Sequence, residues 1–266
     1  MKKENEEFFI GWNGKLGSST KKVLKRTLGL FAITWLVFVM IFTLATTKAI
    51  NSEFELYNRI YISGVFHSSP APMLKVKNSG LFENILLVGF GKHGFEKLNS
   101  EISEEFGGLE GKHMSLYGNL IYYNGKTVFQ VLDHNPQDVY KDQYFKPINA
   151  ELLGETTLEG EIIDPKCYFG VMKPGRGRIH RSCAVRCLSG GIPPVFLIRT
   201  EIGNEQYYLL HLEQMKLEDF IPLVGKQIQL KGMVEQYEDW LVLNVRKNDF
   251  LILNENSDVY ENEEFD

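Results

Sequence analysis

Three cysteines are all that the 266 residues carry, too few for a disulfide scaffold and an odd number for complete pairing. Neither sign of charge dominates. The 29 basic residues stand against 34 acidic ones, a net −5, so the chain as a whole is no polycation built for nucleic acid. No GxSxG, HExxH, Walker or CxxCH pattern occurs, which removes hydrolase elbows, zincins, P-loop sites and covalent haem as motif-based readings. Ser182 lies near His180, but no acid is placed to orient that histidine, so a catalytic triad has no support. Hydrophobic residues at 44% and charged residues at 24% exclude a disordered chain and a polytopic membrane protein.

What is present begins with one apolar run. Residues 27–47 are 21 positions without a charge. At about 1.5 Å per residue they span roughly 30 Å, the thickness of a bilayer's hydrocarbon core. A cleaved signal peptide has a shorter apolar region, about 7–15 residues, and a buried core helix would show a polar face. An uncleaved anchor is expected. Residues 15–26 carry Lys15, Lys21, Lys22, Lys25 and Arg26 and no acid, whereas Lys48 is followed by Glu53 and Glu55. The positive-inside rule places the 1–26 stub in the cytoplasm and the rest outside it, at the cell (inner) membrane. There an oxidising compartment is expected. In the stub, Phe8-Phe9-Ile10-Gly11-Trp12 reads as a membrane-interface cluster or as part of a flexible tail. Residues 254–266, with six acids and no base, read as a mobile solvated tail.

An internal repeat organises the remainder. Residues 109–118 (LEGKHMSLYG) align with 223–232 (LVGKQIQLKG) at an offset of 114. The match extends through Leu120/Val234, Tyr123/Tyr237, Val128/Val242 and Val131/Val245. Around each copy the strand and helix signals agree. The first half predicts strands over 54–66, 73–76 and 85–90, a helix over 95–106, and a hairpin of 112–123 and 127–132 about Asn124-Gly125. The second predicts strands over 157–163, 195–200 and 206–211, a short helix over 215–220, and a hairpin of 226–237 and 240–246. Three strands, a helix and a long hairpin form the order of an OB-fold. The expected architecture is mainly β: one transmembrane helix and two tandem OB-like small β-barrels outside the membrane, at 52–145 and 150–253. Residues 133–156 read as a loop-like linker between them. A single β-sandwich is the rival.

All three cysteines fall in an insert at 164–194, between the first two strands of the second half. The corresponding stretch of the first half, 67–73, is far shorter. A long insertion at a loop where OB-folds bind ligands invites a functional reading. Cys167, His180, Cys183 and Cys187 are the candidate metal ligands. The last three share one helix face by spacing, and three sulfurs with an imidazole suit a tetrahedral site. Met172 adds a soft sulfur, so zinc or copper(I) is the expected metal. The alternatives are a disulfide or a reactive thiol. Cys183 and Cys187 on a helix have Cα atoms about 6 Å apart, within bridging reach, and Cys167 could equally pair with either.

The insert is also basic. Between 164 and 187 it holds six basic residues and one acid, while the rest of 48–253 holds 16 basic and 24 acidic ones. Lys173, Arg176, Arg178, Arg181 and Arg186 are the candidates for anion, lipid-headgroup or protein-partner recognition. Gly190-Gly191-Ile192-Pro193-Pro194 reads as a rigid exit from the insert. Gly89-Phe-Gly-Lys-His-Gly94 matches GxGxxG, but hairpin strands follow it instead of a parallel crossover, so a strand-to-helix turn is expected.

The run from Glu161 to Pro194 (EIIDPKCYFGVMKPGRGRIHRSCAVRCLSGGIPP), with the aromatic-Gly-Trp stub and anchor ahead of it, resembles a family of bacterial single-pass membrane proteins of unknown function. The resemblance implies a membrane-anchored extracytoplasmic protein and carries no activity. Together these features point to a binding or accessory protein more than to an enzyme. It would hold a metal or dock a redox partner through the insert, with the bilayer, or a membrane or extracytoplasmic complex, as partner and no nucleic acid. A structural interaction module with a stapled basic loop is the rival.

Overall fold

The computed structural model describes residues 17–46, 52–78, 80–200, 203–213, 216–246 and 250–252. The stub cluster at 8–12, the tail at 254–266 and Met215 of the predicted short helix lie outside the described residues. The chain divides into two units, 1–50 and 51–266.

The first unit holds helix α1 (Ser18–Thr46), 29 residues long. It begins before the apolar run because Lys, Leu and Arg are good helix formers and nothing in 18–26 breaks the pattern. Its most apolar 18-residue window has a mean hydropathy of 2.3. Three hydroxyls inside the run satisfy themselves locally. Thr27, Thr34 and Thr43 donate to the carbonyls of Val23, Leu30 and Val39 at 3.1, 3.0 and 2.8 Å, the back-bonding that hides a hydroxyl in apolar surroundings. Among the described residues this is the one helix long and apolar enough to cross a membrane. It fits a membrane anchor or a signal sequence.

The second unit is mainly β, and the chain is 45% strand with a closed five-stranded β-barrel. Strands β1 (Ser52–His67), β2 (Met73–Asn78), β3 (Leu81–Val88), β4 (Lys112–Tyr123) and β5 (Lys126–His134) pair in the order β1-β2-β3-β5-β4, and β4 returns to β1. The β3–β5 pair is parallel and the others are antiparallel. Helix α2 (Glu96–Phe106) follows β3. Its predicted face is the observed one, with Phe95 and Ile102 fully buried and Leu98 and Phe106 packed on the same core. A two-residue strand β6 (Tyr140–Lys141) adds to β4.

The second sheet repeats these pairings. Its strands are β7 (Glu151–Ile163), β8 (Val195–Arg199), β9 (Glu205–Glu213), β10 (Gln227–Tyr237) and β11 (Trp240–Arg246), with β12 (Phe250–Ile252) on the β10 edge. The order is β11-β9-β8-β7-β10, β10 also pairs with β11, and β9–β11 is parallel. The short helix α4 (Leu217–Phe220) stands where α2 stands in the first half. The predicted linker is shorter than expected. β7 starts at Glu151 because residues 151–156 extend its ladder with β10, from Glu151 opposite Gln236 to Thr156 opposite Gly232.

The repeat has a backbone cause. Gly111 and Gly225 have φ of +71° and +73°, a conformation that side chains rarely adopt. Gly118 and Gly232 each face a carbonyl across the closing hairpin. A Cβ there would meet the Gln130 oxygen at 2.0 Å or the Asn244 oxygen at 2.5 Å.

The two sheets share a core. Met73, Leu86, Ile121 and Val128 of the first pack in one cluster with Ile163, Val195, Leu209 and Trp240 of the second. The hairpin tips reach across reciprocally. At the β4–β5 tip, Asn124 donates to the Tyr207 hydroxyl at 3.3 Å. From the β10–β11 tip, Glu238 accepts from the Asn84 amide at 2.8 Å, and Trp240 donates its indole N–H to the Asn84 carbonyl at 2.8 Å.

Candidate metal centre

The insert leaves β7 through Asp164-Pro165. The Asp164 Oδ1 accepts the backbone N–H groups of Lys166 and Cys167 at 2.9 and 3.4 Å, an N-cap with proline at the first helical position. The turn that follows, Cys167–Val171, is a π-helix, closed by the Met172 N–H on the Cys167 carbonyl at 3.1 Å. Helix α3 (Gly177–Ser189) then runs back and buries His180, Ala184, Cys187 and Leu188, positions i, i+4, i+7 and i+8 of one face. Of the three residues expected on one helix face, His180 and Cys187 lie on this buried face and Cys183 is half-buried beside it, while Cys167 sits on the preceding turn.

The ligand-type atoms converge. Those of Cys167, His180 and Cys183 lie within 4.8 Å of one another, and so do those of Asp164, Cys167 and Cys187. The Cys167 and Cys183 sulfurs are 4.0 Å apart, and the Met172 sulfur is 3.7 Å from that of Cys183. Asp164 is 0% exposed, Cys187 1%, His180 3% and Cys167 4%, while Cys183 is half-buried. All three cysteines are free thiols, so neither a Cys183–Cys187 disulfide nor one from Cys167 to either is formed. On α3 the buried Cys187 and the half-buried Cys183 look to different neighbours. His180 and Cys187 do not join a common triplet, and Asp164, absent from the predicted set, takes a place beside Cys187.

Two buried polar atoms here have no hydrogen-bond partner, His180 Nε2 and Asp164 Oδ2. Such atoms are rare and costly unless something not seen satisfies them. Burial lowers the His180 pKa, against the pull of the Asp164 carboxylate and helped by Lys92. That favours the neutral, metal-ligating imidazole. The Cys187 side chain, burial and the Asp164 carboxylate together push the Cys167 thiol far up. Forming its thiolate there requires a compensating positive charge.

Lys166 supplies part of the frame. Its buried ammonium donates to the Gly89 and Gly91 carbonyls at 2.8 and 2.6 Å. Burial lowers its pKa to about 8, opposed by Asp164, Cys187 and Cys167. The GxGxxG loop is thus a strand-to-helix turn that turns its carbonyls toward a lysine. A second frame holds the π-turn from the other side. Glu205 accepts from the Tyr168 and Tyr207 hydroxyls at 2.7 and 2.6 Å and from Arg199 at 3.0 Å. The sequence signal for the Asp164 cap was present in Asp-Pro. Nothing local pointed to Lys166, whose partners are more than 70 positions away, or to the bond between Glu205 and Tyr168, 37 positions apart.

The five basic candidates divide. Lys173 donates to the Tyr168 carbonyl at 2.8 Å and lies 4.6 Å over the Tyr123 ring. Arg181 donates to the carbonyls of Val224 and Pro222 at 3.0 and 3.3 Å. These two brace the insert. Arg176 is half-buried and lines a groove with Glu159, Glu161 and Arg199. Arg178 and Arg186 are exposed.

No protein-family model matches the chain, and no curated protein matches it.

Proposed function

We propose that the protein is a membrane-anchored, extracytoplasmic metal-binding accessory protein, built as two tandem OB-like barrels, whose insert holds a thiophilic cation, zinc or copper(I). The observation that carries the reading is the convergence of Cys167, His180 and Cys183 ligand atoms within 4.8 Å, with His180 carrying a buried, unpartnered imidazole nitrogen. Sulfur and imidazole donors select zinc and copper(I) over magnesium or calcium. Buried thiols without a disulfide partner also suit a bound ion. The same pairing order in both sheets, with a parallel third-to-fifth strand pair in each, supports the OB-like reading of each half. The charge asymmetry around α1 supports an N-terminus in the cytoplasm. The likeness of residues 161–194 to bacterial single-pass membrane proteins agrees with that placement. Arg178 and Arg186 offer the exposed charge for a partner or anionic lipid.

The test is elemental analysis of the full-length chain, purified in detergent without chelator or affinity metal. Stoichiometric zinc or copper that disappears in Cys167→Ser is expected. A metal-free chain, or metal content unchanged in Cys167→Ser, would remove the reading.

A further inference from the structure

The sequence pattern suggested one tetrahedral set, whereas the ligand-type side chains fall into two triplets. One is Cys167, His180 and Cys183, the other Asp164, Cys167 and Cys187, and each has its ligand atoms within 4.8 Å of one another. Cys167 alone belongs to both. Each triplet also contains one of the two residues that carry an unpartnered buried atom, His180 (Nε2) in the first and Asp164 (Oδ2) in the second. A cation in the first triplet alone would satisfy the imidazole and leave the carboxylate oxygen stranded. A cation in the second alone would do the reverse.

Charge counts the same way. Three thiolates and one carboxylate carry four negative charges, which two divalent ions balance. Around a single ion, deprotonating the whole set would bury uncompensated charge, a costly arrangement even with Lys166 nearby. A thiolate sulfur has lone pairs enough to serve two cations. The inner triplet is buried throughout. The outer one includes half-buried Cys183, beside the exposed thioether of Met172.

We propose that the insert is a two-cation site with the Cys167 sulfur shared, an outer ion on Cys167, His180 and Cys183 and an inner ion on Asp164, Cys167 and Cys187. The proposal rests on the metal-binding reading above and extends it. The outer position is the one that loads and exchanges, because its Cys183 is only half-buried, and the inner position fills through it.

The experiment is a zinc titration of the full-length chain in detergent, stripped of metal and kept reduced, with bound zinc counted after gel filtration. Two zinc ions per chain are expected. One each should remain in Asp164→Asn, Cys187→Ser, His180→Ala and Cys183→Ser, and none in Cys167→Ser. Asp164→Asn keeps the Oδ1 acceptor that caps the Lys166 and Cys167 amides, so the turn should survive. Cys187→Ser carries the same expectation without touching that cap. Cobalt(II) gives a second readout, with thiolate-to-metal absorption at two equivalents in the wild type and at one in these variants. One zinc per chain, lost in His180→Ala and untouched in Asp164→Asn and Cys187→Ser, overturns the two-cation site and leaves the single-ion reading standing. Two zinc ions unaffected by Asp164→Asn and Cys187→Ser overturn it as well. No zinc at all overturns the two-cation site, while the elemental analysis above decides separately whether the insert holds any metal.

Discussion

The Gly94 amide donates to the Gly190 carbonyl at 2.8 Å, joining the loop after β3 to the end of α3 across 96 positions of sequence. The contact is backbone on backbone, and it leaves no room for a side chain. A Cβ on Gly190 would fall 1.8 Å from the Lys92 carbonyl oxygen. The glycine-rich loop of the first half and the glycine pair of the insert are two sides of one joint. That joint presses α3, and with it His180 and Cys187, against the turn that carries Cys167.

Gly190→Ala should therefore open the joint. Overpacking of this kind typically costs about 1–3 kcal/mol, and the contacting atom is backbone that cannot rotate away. Chemical denaturation should show a lower midpoint with an unchanged slope, and zinc affinity should fall with it. Gly108→Ala is the control, since a Cβ there meets nothing within 4 Å. Equal midpoints for the two variants would contradict the joint.

The shared core predicts that the two sheets melt together. Trp240 is 1% exposed, sits in the cluster common to both halves, bonds the Asn84 carbonyl of the first sheet and carries the Lys126 ammonium 4.5 Å over its ring. A large apolar interface couples units that would otherwise unfold separately. Calorimetry should give one endotherm for the 51–266 unit within the full chain. Trp240→Ala should lower its stability by about 3–5 kcal/mol, the usual cost of deleting a buried aromatic. Two resolved endotherms in the wild type would show that the halves are independent.

The glutamate under the π-turn predicts a pH dependence. Burial disfavours the Glu205 charge, but hydrogen bonds from Tyr207, Tyr168 and Tyr123 and the Arg199 charge outweigh it, and its pKa lies below the ordinary 4.5. A carboxyl depressed on folding stabilises fully above that ordinary value, and the contribution fades as pH falls through the folded one. The tyrosines work on the opposite side. Burial and then Glu205 raise Tyr168 and Tyr207 above their ordinary 10.0, so their contribution is complete below pH 10 and is lost as they ionise above it. Melting temperature against pH should fall on both arms. Glu205→Gln should flatten the acid arm and lower the plateau, and an acid arm as steep as the wild type's would sink the assignment.

Much of this architecture was readable because its causes are local. Gly111 and Gly225 adopt the same left-handed turn, and Gly118 and Gly232 face equivalent carbonyls, so the repeat announces itself in glycines. His180 and Cys187 were readable as one face because helical spacing sets that face. Local signals carry no information about which loops meet. Lys166 looked like one more positive charge in a basic segment until the Gly89 and Gly91 carbonyls, more than 70 positions earlier, were seen around it. Lys173 and Arg181 likewise looked like a binding patch, and carbonyls brought near by tertiary packing hold both. Asp164 is absent from the ligand set that spacing suggests, because only the fold shows one of its oxygens capping the turn and the other buried without a partner.

Thiol chemistry provides the last prediction, and it separates the three cysteines by depth. Cys167 and Cys187 are 4% and 1% exposed, and the Cys167 thiol is held protonated by Cys187, burial and Asp164. Cys183 is half-buried, with its sulfur near the exposed Met172. Alkylation needs both the thiolate and access. In the reduced, metal-free chain an alkylating reagent should label Cys183 first, and the other two only as fast as the fold opens. Zinc should slow the labelling of Cys183 strongly, because a bound cation occupies the sulfur lone pairs, and His180→Ala should restore much of the rate by removing a ligand from the same ion. Peptide mass spectrometry reads all three sites at once. If Cys183 stays unprotected while zinc is demonstrably bound, its sulfur is no ligand, and the outer position would have to be rebuilt without it.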